Sequence, residues 1–586
     1  MHFKISIITI NKIQEKFDEI FNQRTTETLS RNLRATEFSN SIILFLMSLG
    51  LFTCSVDPKA DKIYINGNIL SGLTNGERLE YIATKDNIIL DAGIGDYEHF
   101  IKSKTKIIDL NNKFVVPGFM DNHTHFMSGG NLLMSIDLHS AKSKNQFIKQ
   151  FNSYTKKINS GEWITGGNWD HENWGGLLPD KNWIDPYTKK NPVLVSRVDG
   201  HMALANSVAL EISGITKDTP DPVGGVVGRD PKTGIPNGIL KDNAIRLVSI
   251  NIPEKSEEKK KRILNTAMKH AASVGITQIH DMCSWEDLET FKKNKNDLTL
   301  RIYAIPWYTN WEKLIQLIEK EGVGDDILRW NGIKAMVDGS LGSRTAWMHH
   351  AYLDDRNTSG LLIIDDTLKF KKMMNAIDKN EIQLAVHAIG DKANDWIIDM
   401  FEVLNKENGF RDRRLRIEHA QHLTESAIDK IIKTGIIPSM QPYGCIDDTR
   451  WMHKRIDHSL MSRSYIFKTF LDNGVNLTFG SDWDVTPLNP LEGIYAAVTR
   501  STLDGSKPEG WFPDQKITVE DAIICYTKNN AYAGFQENKL GTITKGKYAD
   551  FVVLSDDITK IDPKDILDTY VLRTVVNAED VYIHSN

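Results

Sequence analysis

The stretch that decides the fold is Phe114–His125, which reads FVVPGFMDNHTH. Its apolar first half is typical of a buried strand, and it ends in His123 and His125, which lie two positions apart. Side chains at i and i+2 of a strand point to the same face. At the C-terminal end of a barrel strand that face opens into the active site, so both imidazoles can reach one metal ion. A chain with 17 histidines produces such a pair easily by chance, so the hypothesis depends on further residues.

Further apolar runs follow this stretch, and amphipathic segments lie between several of them. The predicted barrel strands are Val115–His125, Ile276–Asp281, Leu300–Trp307, Gly332–Asp338, Gln383–His387, Leu415–His419, Ile436–Gln441 and Leu477–Asp482. Nearly continuous apolar strands that alternate with helices are typical of a parallel sheet covered on both faces. The sequence therefore predicts an α/β protein with a (β/α)8, TIM-like barrel.

Residues with metal-binding side chains end several of these predicted strands. They are His125, His387, His419 and Asp482. The C-terminal ends of barrel strands carry the active site, so this placement favours one shared site over unrelated core or surface positions. Lys334 lies earlier in its strand and must reach upward with its long side chain.

The two ends of the chain also have β character. Residues 62–116 contain short runs with tight Asn-Gly or Asn-Asn turns, and Gly541–Leu554 and Val571–Ile583 have the same character. We predict that both ends pair into one composite β-sandwich, formed by residues 60–118 and 541–586, with the barrel at 119–540.

One interval does not fit the barrel pattern. Residues from about 141 to 261 are too many for one βα connection. They include Trp163, Trp169, Trp174, Trp183 and the strand-like run Pro192–Val198. We interpret this interval as a subdomain inserted after the first barrel strand and folded over the site.

Composition excludes several classes of function. The net charge of −6 argues against nucleic acid as the main partner. The cysteines Cys54, Cys283, Cys445 and Cys525 are widely spaced, which fits neither a disulfide framework nor a cysteine metal site. The sequence contains neither a GxxxxGK[ST] motif nor a GxGxxG that opens a helix, so it gives no indication of a site for a nucleotide phosphate.

The N-terminal segment contains the apolar run Ile42–Phe52, which is too short to cross a bilayer and has the length of a signal-peptide core. The run leads into Cys54 in a context that resembles a bacterial lipoprotein lipobox. We predict that residues 1–54 are a leader and that the protein is exported and anchored to the membrane through Cys54. The mixed charges ahead of the run leave a buried helix and a cytoplasmic location open.

The motifs together resemble one enzyme family. VPGFMDNHTH at 116–125 resembles the first-strand signature of the amidohydrolase superfamily, and 541–550 resembles its C-terminal return to the sandwich. The segments at 332–340, 386–391, 417–421 and 479–482 resemble the subgroup that contains N-substituted formamide deformylase. RVDGH at 197–201 and AVTR at 497–500 match the same subgroup. The resemblance covers about residues 60–586.

This resemblance implies a metal centre with six ligands: His123, His125, Lys334, His387, His419 and Asp482. Neutral imidazoles suit zinc, and we expect about two zinc ions per chain. In the family, a strand-4 lysine often carries a CO2-derived carbamate that bridges two metal ions, and Lys334 matches that position. Asp338 is the rival ligand on this strand, although an Asp before Gly-Ser often caps a turn. Asp482 is implied as the general base.

The expected activity is hydrolysis of a carbon–nitrogen bond other than a peptide bond, in a small-molecule amide or formamide, by metal-activated hydroxide. Two alternatives stay open: a deaminase or cyclic amidase that uses one metal ion, and a non-catalytic surface binding protein on the same fold. His201 and Trp169 are candidate substrate-binding residues; a buried structural histidine and a core tryptophan are the alternatives.

Overall fold

The computed structural model describes residues 58–585, except 74–75, 198–201, 223–224 and 343. The predicted leader with Cys54 and the candidate residue His201 therefore lie outside the described residues. Contacts divide the chain into residues 1–58 and 59–586, and the fold below is that of the second unit. Within the described residues, no helix is both long and apolar enough to cross a membrane.

Every predicted barrel strand overlaps an observed strand. One parallel sheet has the order Leu328–Arg329, Arg301–Ala304, Ile276–Asp281 and Phe119–Thr124. A second parallel sheet has the order Gly332–Met336, Gln383–Ala388, Arg416–His419, Ile437–Met440 and Thr478–Phe479. The short strand Leu328–Arg329 has no counterpart in the sequence prediction.

The two sheets form a TIM-barrel-like arrangement without one closed ladder of strands. Their ends meet through isolated parallel bridges, Thr124 with Trp483 at one seam and Trp307 with Lys334 at the other. The last strand, Thr478–Phe479, is too short to make a longer ladder. The C-terminal ends of the strands consequently converge on one side of the molecule, as parallel pairing requires.

The first predicted strand is divided at Gly118. Phe114–Pro117 pairs antiparallel with Phe551–Leu554, whereas Phe119–Thr124 belongs to the barrel. A Cβ atom at Gly118 would lie 2.3 Å from Thr277 Oγ1, so a larger residue would push the two barrel strands apart. One continuous segment therefore joins the sheet made by the chain ends to the strand that carries His123.

The sheet made by the chain ends has six strands: Glu579–Ile583, Val571–Val576, Phe551–Leu554, Phe114–Pro117, Asn68–Leu70 and Arg78–Leu79. A four-stranded sheet accompanies it: Ile88–Gly93, Tyr81–Lys85, Lys62–Ile65 and Lys106–Asp109. Side chains of both sheets, such as Tyr64 and Phe551, share one buried hydrophobic cluster. The boundaries of a composite sandwich domain stay predictions.

The interval after the first barrel strand folds as a mixed sheet. Its strand order is Gly225–Arg229, Pro236–Asp242, Met202–Ala205, Val193–Arg197, Ile164–Trp169 and Ile136–Asp137. Two hydrophobic clusters of its own cover the faces of this sheet. The predicted limits of an inserted subdomain at 141 and 261 stay a prediction.

Helices separate most of the strands, and several begin at a side-chain cap; Thr424, for example, accepts a hydrogen bond from Ala427 N. The helices are Phe126–Met134, Lys144–Tyr154, Lys181–Ile184, Ser207–Ile212, Arg246–Ser249, Glu257–Ser273, Trp285–Lys293, Trp311–Glu321, Thr367–Lys379, Asp391–Asn408, Glu425–Thr434, Pro442–Asp448, His458–Met461, Phe467–Asp472, Pro490–Thr499, Val519–Cys525 and Lys528–Ala533. Short 3-10 helices are Glu98–Phe100, His171–Trp174, Asn243–Ile245, Lys295–Asp297, Tyr308–Asn310, Met452–Lys454, Pro513–Gln515 and Pro563–Asp568.

Candidate metal centre

The predicted ligand positions all line one cavity of about 520 Å³ at the C-terminal ends of the barrel strands. They are His123, His125, Lys334, His387, His419 and Asp482. The fold explains this convergence, because the parallel strands end on the same side. The six side chains therefore belong to one site in space, although they are spread over 360 positions of the sequence.

Three of these residues, His123, His419 and Asp482, have ligand atoms that all lie within 4.8 Å of one another. Asp482 Oδ1 lies 3.3 Å from His125 Nε2 and 3.5 Å from His123 Nε2. The same oxygen is buried and accepts no hydrogen bond from the described residues. A buried, unpaired carboxylate oxygen is costly unless a cation offsets its charge. The donor set therefore fits a divalent metal ion.

Burial keeps three of the four candidate ligand imidazoles neutral. It lowers the pKa of His387 to about 3, and together with neighbouring positive groups it lowers the pKa of His123 and His419 well below the usual value. For His125, burial acts in the same direction, but the contact with Asp482 outweighs it and raises the pKa. Neutral imidazole nitrogen is the form that coordinates a metal ion.

Hydrogen bonds to the far ring nitrogen orient His123 and His419. Nδ1 of His123 lies 2.6 Å from Glu418 Oε2, and Nδ1 of His419 lies 2.7 Å from Gln441 Oε1. Each contact assigns the ring proton to Nδ1, which then donates to the oxygen and leaves Nε2 as a lone-pair donor.

The other two imidazoles use backbone carbonyl groups in the same way. Nδ1 of His125 lies 3.1 Å from the carbonyl oxygen of Met282, which leaves Nε2 for a ligand. His387 is reversed, because its Nε2 lies 3.1 Å from the carbonyl oxygen of Gly339 and Nδ1 is left. All four rings thus have one nitrogen held by the protein and one available to a cation.

The two rival residues on strand 4 have different surroundings. Lys334 Nζ is buried in the cavity, 3.2 Å from His123 Nε2, and burial lowers the pKa of this amine to about 8. A neutral amine is the form that reacts with CO2, so this environment favours a carbamate. Asp338 instead accepts backbone hydrogen bonds of 2.8–3.0 Å from Trp347, Ile389 and Gly390. These bonds occupy both of its carboxylate oxygens and pin a turn.

Two of the candidate ligands have strained backbone. His419 and the following Ala420 have φ of +73° and +43°, and Asp482 has φ of +61°. Non-glycine residues rarely adopt this left-handed region, and such strain clusters at functional positions. It turns the strand ends so that these side chains face the cavity.

Sequence reasoning missed the ion pair beneath His123. Glu418 accepts a hydrogen bond from His123 Nδ1 at 2.6 Å and another from Arg416 Nε at 2.8 Å. The side chains of Arg416 and Glu418 are both fully buried. Burial alone would raise the pKa of Glu418, but Arg416 and Lys334 hold it below the usual value. Arg416 and Glu418 lie two positions apart on one strand, and this spacing in an apolar run was the available signal.

The structure does not bring Trp169 into this cavity. The side chain is fully buried in the core of the mixed sheet, and its indole Nε1 donates to the carbonyl oxygen of Val195 at 2.9 Å. Its position therefore does not support the substrate-binding prediction. The aromatic lining consists of Trp307, Trp451 and Tyr465. Within the described part of the chain, no lining residue comes from 141–261.

Comparisons with known proteins agree with this architecture. The model of the amidohydrolase family matches residues 106–582. The chain is 36% identical over 555 residues to protein LONG AFTER FAR-RED 3 of Arabidopsis thaliana, covering 92% of this chain and 94% of that protein. It is 25% identical over 532 residues to N-substituted formamide deformylase of Arthrobacter pascens, covering 86% and 93%. A solved structure of an uncharacterized metal-dependent hydrolase from Pyrococcus furiosus has a TM-score of 0.70 at 26% identity, covering 85% of this chain and 100% of that one.

Proposed function

The chain belongs to the amidohydrolase family, and from this premise we propose that it hydrolyses a carbon–nitrogen bond, other than a peptide bond, in a small-molecule amide or formamide. The observation that carries the proposal is the buried, unpaired Asp482 Oδ1 among imidazole nitrogens in a cavity of about 520 Å³. The likeness to N-substituted formamide deformylase supports the choice of substrate class.

The residues that would hold the metal are His123, His125, Lys334, His387, His419 and Asp482. Their imidazole and carboxylate donors suit zinc, and a carbamate on Lys334 would add an anionic oxygen that supports about two ions. When bound, such ions supply a Lewis acid that polarises a carbonyl and makes water nucleophilic near neutral pH.

The proton transfer in this reaction is carried out by a side chain of the protein. Asp482 takes a proton from the attacking water and delivers it to the leaving nitrogen, so that a carboxylic acid and an amine are formed from an amide and water. Glu418 and Gln441 fix the orientation of the His123 and His419 imidazoles, because each accepts a hydrogen bond from Nδ1 of one ring. Trp307 stacks 6.5 Å from His125, ring centre to ring centre, and covers that side of the cavity.

The mononuclear alternative has one specific observation in its favour, because His123, His419 and Asp482 already bring three donor atoms within 4.8 Å of one another, which is enough to hold one ion. Metal counting separates the two forms. A deaminase or cyclic amidase would keep one ion and would not depend on a carbamate.

We test the proposal with purified full-length protein reconstituted with zinc. We expect about two zinc ions per chain and release of formate from N-benzylformamide, both abolished by a chelator and restored by zinc. Protein that binds no metal after reconstitution would contradict the proposal. A metal-loaded protein that cleaves neither formamides nor acetamides would favour the non-catalytic binding protein.

For location, we propose export as a lipoprotein through Cys54, on the basis of the apolar run Ile42–Phe52. Labelling with radioactive palmitate in a bacterial host tests this, with Cys54→Ser as the variant and Cys283→Ser as the control. Label that persists in Cys54→Ser would contradict the proposal.

A further inference from the structure

A second acidic group lines the candidate site cavity and is not explained by the metal centre. Asp448 ends the helix Pro442–Asp448 and lines the same cavity as His419 and Asp482. Its Oδ2 accepts hydrogen bonds from Gln421 Nε2 at 2.7 Å and from Tyr465 Oη at 2.8 Å. Its Oδ1 accepts none from the described residues.

Asp448 is poorly placed for stability. A carboxylate at a helix C-terminus faces the negative end of the helix dipole. Burial adds a second cost, and it raises the pKa of Asp448 to about 6, so that the group is still ionised at neutral pH. A half-buried carboxylate in a cavity wall that forms no ion pair with the described residues is a candidate for recognition of a charged ligand.

Among the described residues, no cation that lines the cavity forms an ion pair with Asp448. Apart from histidines, the charged residues that line it in the described part of the chain are Lys334, Asp447, Asp448 and Asp482. Asp447 forms an ion pair with Arg450, and Lys334 and Asp482 belong to the metal centre. Aromatic side chains of Trp307, Trp451 and Tyr465 line the same cavity and suit an organic cation.

We propose that Asp448 binds a positively charged amino group of the substrate, so that the preferred substrates are small amides that also carry an ammonium group. This inference rests on the proposed function, because it uses the same cavity. Oδ1 accepts a hydrogen bond from the ammonium, while Gln421 and Tyr465 hold Oδ2 and fix the direction of the carboxylate. Asp448 acts on binding and specificity and takes no part in the proton transfer.

The test separates binding from hydrolysis by using ketones that lack the cleavable carbon–nitrogen bond. The probes are 4-[4-(aminomethyl)phenyl]butan-2-one and 4-(4-ethylphenyl)butan-2-one, which differ by an ammonium in place of a methyl group. Calorimetry on the zinc-loaded full chain measures both dissociation constants. We expect the ammonium probe to bind at least tenfold more tightly, as a charge-assisted hydrogen bond predicts.

Two neighbouring variants provide the comparison. Asp448→Asn is expected to remove the preference, whereas Asp447→Asn, the same change at a residue already paired with Arg450, is expected to keep it. Melting temperatures check folding, and Asp448→Ser replaces Asp448→Asn if that variant does not fold. Equal binding of both probes by the unchanged protein, or a preference that survives in the Asp448 variants, would overturn the proposal.

Hydrolysis of the matched formamides reports separately on the proposed function. The pair is N-[4-(aminomethyl)benzyl]formamide and N-(4-ethylbenzyl)formamide. If neither is cleaved but the ketone preference depends on Asp448, the hydrolase proposal fails and the ammonium site stands. If both are cleaved at equal rates and the ketones bind equally, the hydrolase proposal stands and the ammonium site fails.

Discussion

At the scale of single residues, Asp482 is the group on which the chemistry depends. Its Oδ1 lies within 3.5 Å of two imidazole nitrogens and accepts no hydrogen bond from the residues that the structure describes. We expect Asp482→Asn to lower kcat for N-benzylformamide at least hundredfold, because the amide can no longer accept a proton. The measurement is formate release by zinc-reconstituted protein.

A matched control lies two positions away. Asp484 accepts a hydrogen bond from Ser128 Oγ at 2.6 Å and does not line the cavity. Asp484→Asn should leave kcat within about threefold of the unchanged protein, as expected for a substitution away from the reacting atoms. An Asp482→Asn variant as active as Asp484→Asn would remove Asp482 from its proposed role.

Substitutions of Lys334 and of Asp338 are expected to have different effects on the metal content. Lys334→Ala should lower the bound zinc by about half and abolish a carbamate carbon signal from ¹³C-bicarbonate in the NMR spectrum, because it removes the amine whose carbamate would supply an oxygen ligand for a second ion. Asp338→Asn should keep the zinc and lower the melting temperature, because it disturbs the backbone hydrogen bonds around its turn. The reverse pattern would make Asp338 the strand-4 ligand.

At the residue level, the sequence was enough to place several candidate ligands at one end of the barrel, while their roles as ligands stay predictions. His125, His387, His419 and Asp482 could be found because each ends an apolar run, and the barrel rule then places them on one side. The ion pair between Arg416 and Glu418 was not found, because the sequence does not show which strands lie beside these two charged residues and therefore which groups they contact.

At the scale of elements, the strand Arg416–His419 carries both the ion pair and a candidate ligand. Glu418→Gln should weaken zinc binding about 10- to 100-fold, because His123 loses the carboxylate that orients it. It should also destabilise the metal-free protein by several kcal/mol, because Arg416 is left as an unpaired buried charge. Chelator competition measures the first effect, and urea unfolding of metal-free protein measures the second.

The control for this strand is a glutamate at the surface. Glu425→Gln changes a side chain that is 90% exposed, so we expect less than about 0.5 kcal/mol of destabilisation and unchanged zinc affinity. Glu418→Gln with unchanged zinc affinity would show that the Glu418 contact does not position His123 for a metal ion.

Element boundaries were predicted less well than element positions. The run Val115–His125 reads as one strand, but Phe114–Pro117 and Phe119–Thr124 join different sheets. Hydrophobic periodicity cannot distinguish these cases, because both halves are buried. Gly118 was the local signal, and its meaning depends on Thr277, which is distant in sequence.

At the scale of the whole molecule, the alternation of strands and helices predicted a TIM-barrel-like fold, and the motif resemblance to the amidohydrolase family is confirmed by the family match over residues 106–582. The environment of Trp169 could not be predicted. Trp169 packs inside its own sheet, since a tryptophan is equally suited to a core and to a pocket wall.

The barrel and the sheet formed by the chain ends are joined by a buried ion pair, which predicts that they unfold together. Arg301 on a barrel strand donates to Asp550, which precedes the strand Phe551–Leu554, at 2.6 and 3.1 Å. The two side chains are 2% and 4% exposed. Asp550→Ala leaves the Arg301 charge buried and unpaired, so the free energy of unfolding should fall by about 3–5 kcal/mol.

Urea unfolding followed by tryptophan fluorescence and by far-UV circular dichroism measures this loss. We expect the two signals to coincide in the unchanged protein, because a buried pair couples the two sheets. Asp399→Ala serves as the control; it removes a carboxylate that pairs with Lys430 and is 62% exposed, and it should cost less than about 1 kcal/mol. Equal losses in both variants, or separate transitions for the two signals in the unchanged protein, would show that the Arg301–Asp550 pair does not hold the two parts of the fold together.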